Sequence, residues 1–125
     1  MYTLRDHILK FGGQEVCMPS MDPDLSSLLK RGQFWYGDKI KMELGEACQC
    51  HANSYELWLE EKDHKDIHIA TGYALTEDGM WRQHSWLIYV KPRSRVIIET
   101  TVKRIAYFGF VLSKEEAEEF GENYY

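Results

Sequence analysis

A chain of 125 residues, 44% hydrophobic and 28% charged, is sized for one globular domain with a real core. Its net charge of -5 argues against electrostatic nucleic-acid binding, which needs clustered Lys and Arg, and no stretch approaches the roughly 20 apolar residues of a membrane span. Three cysteines at uneven spacing make no disulfide framework, and the charged start through Arg5, Asp6 and His7 lacks the apolar run of a signal peptide. The expectation is a cytoplasmic protein with free thiols. Four Trp and eight Tyr call for a thick core or an aromatic-lined cleft.

Residues 1–44 are expected to form a helical and extended N-terminal part. Tyr2–Leu9 fits a strand or a short helix, broken by Gly12-Gly13. Pro19 and Pro23 bracket a loop. Asp22-Pro23-Asp24 signals a helix start, with Leu25, Leu28 and Leu29 following and Gly32 as a stop. Gln33–Leu44 has aromatics, a Gly37-Asp38 turn signal and alternation at Ile40, Met42 and Leu44, and reads as a strand or extended segment.

Residues 45–112 carry the chemistry. After a loop at Gly45-Glu46-Ala47, Cys50–Glu61 reads as a helix with a broad buried face that includes Leu57 and Trp58. Lys62–Asp66 is a polar loop. Ile67–Leu75, Met80–Val90 and Val96–Thr101 read as strands joined by hairpin turns at Thr76–Gly79 and Lys91–Ser94. Lys103–Leu112 reads as a further strand, with Gly109 as a candidate bulge. The predicted class is therefore α+β, an antiparallel meander of about four strands packed against the N-terminal helical part and the Cys-bearing helix. Ser113-Lys114-Glu115-Glu116 has a capping-box form, opening an acidic helix that Gly121 ends, with a tail to Tyr125. The whole, 1–125, is one domain.

The best candidate for chemistry sits within Met80–Val90. Parity puts His84 on one strand face with Arg82, Trp86 and Ile88. If Val90 pairs with Arg95, Glu99 falls opposite Trp86, diagonal to His84 and on its face; an odd-length loop would put it on the other face. Cys50 opens a helix, where free amides and the dipole favour a thiolate. A thiol, a base and an orienting acid are what a thiol nucleophile requires, so Cys50, His84 and Glu99 are the expected catalytic residues. Gln49 and the Cys50 N–H are oxyanion-donor candidates, and Trp81 and Trp86 are candidates to line the cleft, with core packing the stronger reading for at least one of them.

Each residue also has a plainer reading: Cys50 as a small core residue, with Cys48 the fallback nucleophile, His84 as a satisfied core histidine, and Glu99 as a partner of Arg82, Arg95 or Lys103. Cys48, Cys50, His64 and His68 have a spacing near that of a two-Cys, two-His zinc finger, although such fingers put cysteines on a hairpin and histidines on a helix, the reverse of this segment. Metal is therefore not expected, nor any other cofactor.

The Cys-x-x-Asn helix start (Cys50, Asn53), the strand with Arg82-Gln83-His84-Ser85-Trp86, and Ile98-Glu99-Thr100-Thr101 resemble the papain-like cysteine superfamily, in particular its small transglutaminase-like and NlpC/P60-like branches. Gly72-Tyr73 and Tyr107-Phe108-Gly109 look like flanking strands of microbial members. The resemblance spans residues 45–112; Glu99 departs from it, standing where Asp or Asn is commoner, and residues 1–44 lie outside it. It implies a helix bearing the thiol against an antiparallel sheet bearing base and acid, in a family of peptidases, amidases, deamidases and acyl transferases. The expected function is a thiol hydrolase or acyl transferase, acting on a peptide, protein or small amide. A non-catalytic binding or inhibitor protein on the same scaffold is the alternative, and a small zinc-binding module comes third.

Overall fold

A computed structural model describes residues 3–18, 22–61, 66–91 and 94–124. In chain order the elements are α1 (Leu4–Leu9), β1 (Glu15–Cys17), α2 (Leu25–Arg31), β2 (Gln33–Tyr36), β3 (Ile40–Met42), α3 (Cys50–Glu61), β4 (Ile67–Leu75), β5 (Met80–Lys91), β6 (Ser94–Glu99), β7 (Ala106–Val111) and α4 (Lys114–Tyr124). Residues 62–65 of the expected polar loop and His64 of the zinc reading lie outside the described residues.

Local chemistry accounts for the starts of α1 and α4, whereas Asp24, the N-cap of α2, makes no side-chain capping bond. The Thr3 hydroxyl accepts from the Asp6 N–H at 3.2 Å while the Asp6 carboxylate accepts from the Thr3 N–H at 3.0 Å, so α1 resolves the strand-or-helix ambiguity as a helix. Ser113 and Glu116 repeat the arrangement at α4, at 3.1 and 2.9 Å. Gly121 does not end α4, which runs on to Tyr124; Gly121 is buried against the Tyr55 ring, so it serves close packing on α3 instead of a stop.

The sheet is mixed and curled, ordered β2-β7-β4-β5-β6-β3 with β1 beside β5. The predicted meander is correct for β4–β5–β6, with Val90 opposite Arg95 as expected, but it is not the whole sheet. β7 does not continue beside β6; it crosses back to pair antiparallel with β4, and β2 extends that side. On the far side β1 and β3 add in parallel to β5 and β6. Both parallel strands are three residues long, too short for a period-2 signal, and the cross-over is a long-range choice that turn chemistry does not encode. Gly109 is not a bulge: it pairs in register with Gly72 and Gln33, and a Cβ there would meet the Thr71 carbonyl and lie 2.8 Å from Trp86 Cη2.

Parity divides the packing. One sheet face, with Ile69, Tyr73, Trp81, Leu87, Phe108 and Phe110, buries the apolar sides of all four helices. The other face has a smaller cluster of Ala70, Ala74, Trp86, Ile97 and Tyr107, against which Trp35 and Ile40 pack. His84 and Glu99 belong to this second face, as the alternation predicts.

One feature of β5 positions the site. β4 occupies one edge of β5 along nearly its whole length, so β1 and β6 share the other. β1 covers Met80–Arg82 and β6 covers Leu87–Lys91, which leaves Gln83–Trp86 without a ladder partner on that edge. The N-terminal end of α3 abuts this gap. There the Ser85 N–H donates to the Cys50 sulfur, doing what a strand carbonyl would do elsewhere.

Candidate active site

The structure brings Cys50, His84 and Glu99 together. The thiol of Cys50 is hydrogen-bonded with the His84 ring. His84 Nε2 lies 2.7 Å from Glu99 Oε1, which leaves the Nδ1 edge for the thiol. His84 is 3% and Glu99 0% exposed, so this is a buried pair. Glu99 Oε1 also accepts from the Tyr107 hydroxyl at 2.8 Å, and Oε2 accepts from both the N–H and the hydroxyl of Thr101 at 3.1 Å. A carboxylate so surrounded by donors is held ionised without water.

The electrostatics follow from these contacts. Burial pushes the Cys50 thiol up, but the hydrogen bond and charge of His84, with the Ser85 N–H, outweigh it and the thiol sits below its ordinary value. Burial likewise opposes charge on His84 and Glu99. Their hydrogen bonds prevail, holding His84 above the usual histidine range and Glu99 below the usual carboxylate range. All three shifts favour the thiolate–imidazolium–carboxylate state.

The surrounding supports are of two kinds. Asn53 is buried in the first turns of α3; its carboxamide accepts from the Glu46 N–H at 3.1 Å and donates to the Glu46 carbonyl at 2.7 Å. With the Gly45 N–H on the Thr100 carbonyl at 2.8 Å, this fixes the loop leading to Cys50. The loop includes Cys48 in the left-handed region, at φ 61°. On the opposite side of β5, His51 Nδ1 meets the Ser85 hydroxyl at 2.6 Å, and Ser85 meets Thr71 at 2.8 Å. Burial, then the like charge of His84, pushes His51 down to about 4, so it is neutral at pH 7.

A cleft of about 600 Å³ opens onto Cys50 and His84 and is lined also by Leu44, Cys48, Thr101 and Arg104. Trp81 and Trp86 do not line it. Both are fully buried: Trp81 donates to the Gly12 carbonyl at 3.0 Å within the main core, and Trp86 packs between Tyr107 and Trp35. Rings that large on a curled sheet are worth more as core than as cleft wall. Gln49 is exposed, and its contribution is by backbone, its carbonyl accepting from the Asn53 N–H at 2.8 Å. It is not among the cleft's lining residues.

Tyr107, Thr101 and Arg104 were not among the expected site residues. Thr101 had a local signal, standing two residues from Glu99 with a hydroxyl able to turn back on it. Tyr107 had none, because the β7 cross-over brings it there. Among the described residues no three metal-ligating side chains gather, and no helix is long and apolar enough to cross a membrane. Compared with protein-family models, curated proteins and solved structures, the chain gives no match in any of the three.

Proposed function

We propose that the protein is a thiol hydrolase or acyl transferase acting on an amide or related acyl bond, a member of the papain-like cysteine superfamily in its mechanism. The observation that carries this is the buried His84–Glu99 pair at 2.7 Å with the Cys50 thiol on the remaining ring edge, open to a cleft. The Cys50 thiolate adds to the carbonyl carbon, and the amide N–H groups of the first turn of α3 are the donors we assign to the developing oxyanion. The imidazolium of His84 then gives its proton to the leaving amine as the carbon–nitrogen bond breaks, forming a thioester. Water or an acceptor amine attacks next, with neutral His84 taking its proton, and Cys50 departs as thiolate. Glu99 fixes the ring and stabilises its charged form. Three free thiols suit a reducing compartment, and the cytoplasm is our reading.

The test uses thiol reactivity. Cys17 and Cys48 are exposed and Cys50 only partly so; accessibility alone would make Cys50 the slowest. A paired thiolate reverses that order, because reactivity follows the thiolate fraction at pH values well below the usual thiol pKa of about 8.5. Brief iodoacetamide treatment at about pH 6, read by peptide mass spectrometry, should label Cys50 first. Labelling in order of exposure would leave a binding protein on the same scaffold as the better reading.

A further inference from the structure

We propose that the cleft takes an acyl substrate with a carboxylate beside the scissile bond, held by the guanidinium of Arg104. The inference rests on Cys50 being the nucleophile and adds what the cleft selects. Arg104, between β6 and β7, lines the same cleft as Cys50 and His84, with its side chain 19% exposed. Of the five N–H donors a guanidinium has, one has a directed acceptor among the described residues, Nη2 on the Thr101 hydroxyl at 3.1 Å. Its Nε is buried with no hydrogen-bond partner and stands 4.0 Å from Glu99 Oε1.

Glu99 cannot serve as the missing partner. Both its oxygens already accept, from His84 and Tyr107 on one and from Thr101 twice on the other. The buried Nε–H is costly to leave without an acceptor, and the Nη donors beyond the one on Thr101 remain for a ligand. Arg82, the other cation of the cleft, is in contrast used up, with Nη2 on Asp78 at 2.8 Å and Nη1 on the Thr76 hydroxyl at 2.9 Å.

The charge of the cleft points the same way. The chain has 20 acidic against 15 basic residues, yet among the described residues no Asp or Glu lines this cleft while two arginines do. Arg binds planar carboxylates through two parallel N–H bonds, and an anion docked on Arg104 would share the cleft with the carbonyl that Cys50 attacks. Leu44 and Val102, 76% and 62% exposed, line the same cleft and leave apolar surface for the rest of the substrate.

Two alkylating reagents separate this from simple thiol activation. Iodoacetate carries a carboxylate next to its reacting carbon and iodoacetamide does not. Their Cys50 rate ratio cancels any change in thiolate fraction that a nearby substitution causes, and Cys17 serves as the internal reference. Arg104→Gln and Arg104→Met should each lower the iodoacetate-to-iodoacetamide ratio on the order of tenfold, the size of one hydrogen bond to a charged group. Arg104→Lys, which keeps the charge, should recover part of it, and melting curves confirm that each variant is folded. An unchanged ratio in both neutral variants, with Cys50 still the fastest thiol, overturns the carboxylate inference and leaves the thiol enzyme standing. Cys50 slower than Cys17 with both reagents removes the enzyme reading, and this inference with it.

Discussion

At the scale of single residues, Glu99 bears the most. Its carboxylate is fully buried and accepts four hydrogen bonds, so Glu99→Gln does more than remove a charge: its amide N–H₂ must face donors at one end. We expect a loss of about 2–4 kcal/mol in stability by urea unfolding, the range for disrupting a buried charged network. His84 should then titrate lower, because the opposite charge that raises it is gone. Alkylation of Cys50 near neutral pH should fall on the order of tenfold for each unit by which the pairing weakens. A variant that melts lower but keeps the wild-type pH profile of Cys50 would make Glu99 a structural residue only. Tyr107→Phe is the milder relative. It removes one donor from a carboxylate held below its usual range, so Glu99 should protonate at higher pH. The acid limb of the Cys50 reactivity profile should accordingly shift upward in pH, while reactivity at pH 7 is retained.

Among the elements, α3 and the β5–β6 hairpin could be read from the sequence because local rules govern both. The apolar pattern after Cys50 and the loop residues before it fix α3 at Cys50–Glu61. An even loop parity puts Glu99 on the face of His84. What the sequence did not disclose is how the first turn of α3 is anchored. Asn53 binds both the N–H and the carbonyl of Glu46, an interaction across a loop whose path depends on β3 lying beside β6. Asn53→Ala should cost about 2 kcal/mol, for two lost bonds to a buried amide. It should also speed hydrogen exchange at Glu46 and slow Cys50 alkylation. Normal alkylation with only a stability loss would mean that the packing of α3 on β5, and not the loop staple, holds the thiol in place.

For the whole molecule, topology was the part least legible in sequence. Cys50, His84 and Glu99 lie where α3 closes a break in the outer edge of β5, and that break exists only because β1 and β6 share the edge, one in parallel and one antiparallel. Neither the three-residue β1 nor the return of β7 to β4 has a local signature, so the candidate site is legible in the sequence as three residues, Cys50, His84 and Glu99, and not as a place in a sheet. The same arrangement sets two histidines back to back across β5, one favoured charged and one favoured neutral. His51, half-buried behind Ser85 and facing the charge of His84, has a native pKa of about 4 against about 6.5 when unfolded. Between those values the unfolded chain binds the extra proton, so stability fully present above pH 6.5 is lost as pH falls toward 4. His84, raised in the native state, has the opposite sign: its contribution is fully present below about pH 6.5 and is lost as pH rises through its native value. His51→Asn keeps a polar amide where Nδ1 meets the Ser85 hydroxyl and removes the titration. The urea midpoint of wild type should therefore fall between pH 6.5 and 4 by more than that of His51→Asn, with the two converging in slope below pH 4, where Glu99 and Glu116, both held below their usual range, take over the acid response. Parallel curves from pH 7 to 4 would mean that His51 takes up its proton in the native state at its ordinary pKa, and that the imidazolium of His84 exerts no appreciable field across the strand.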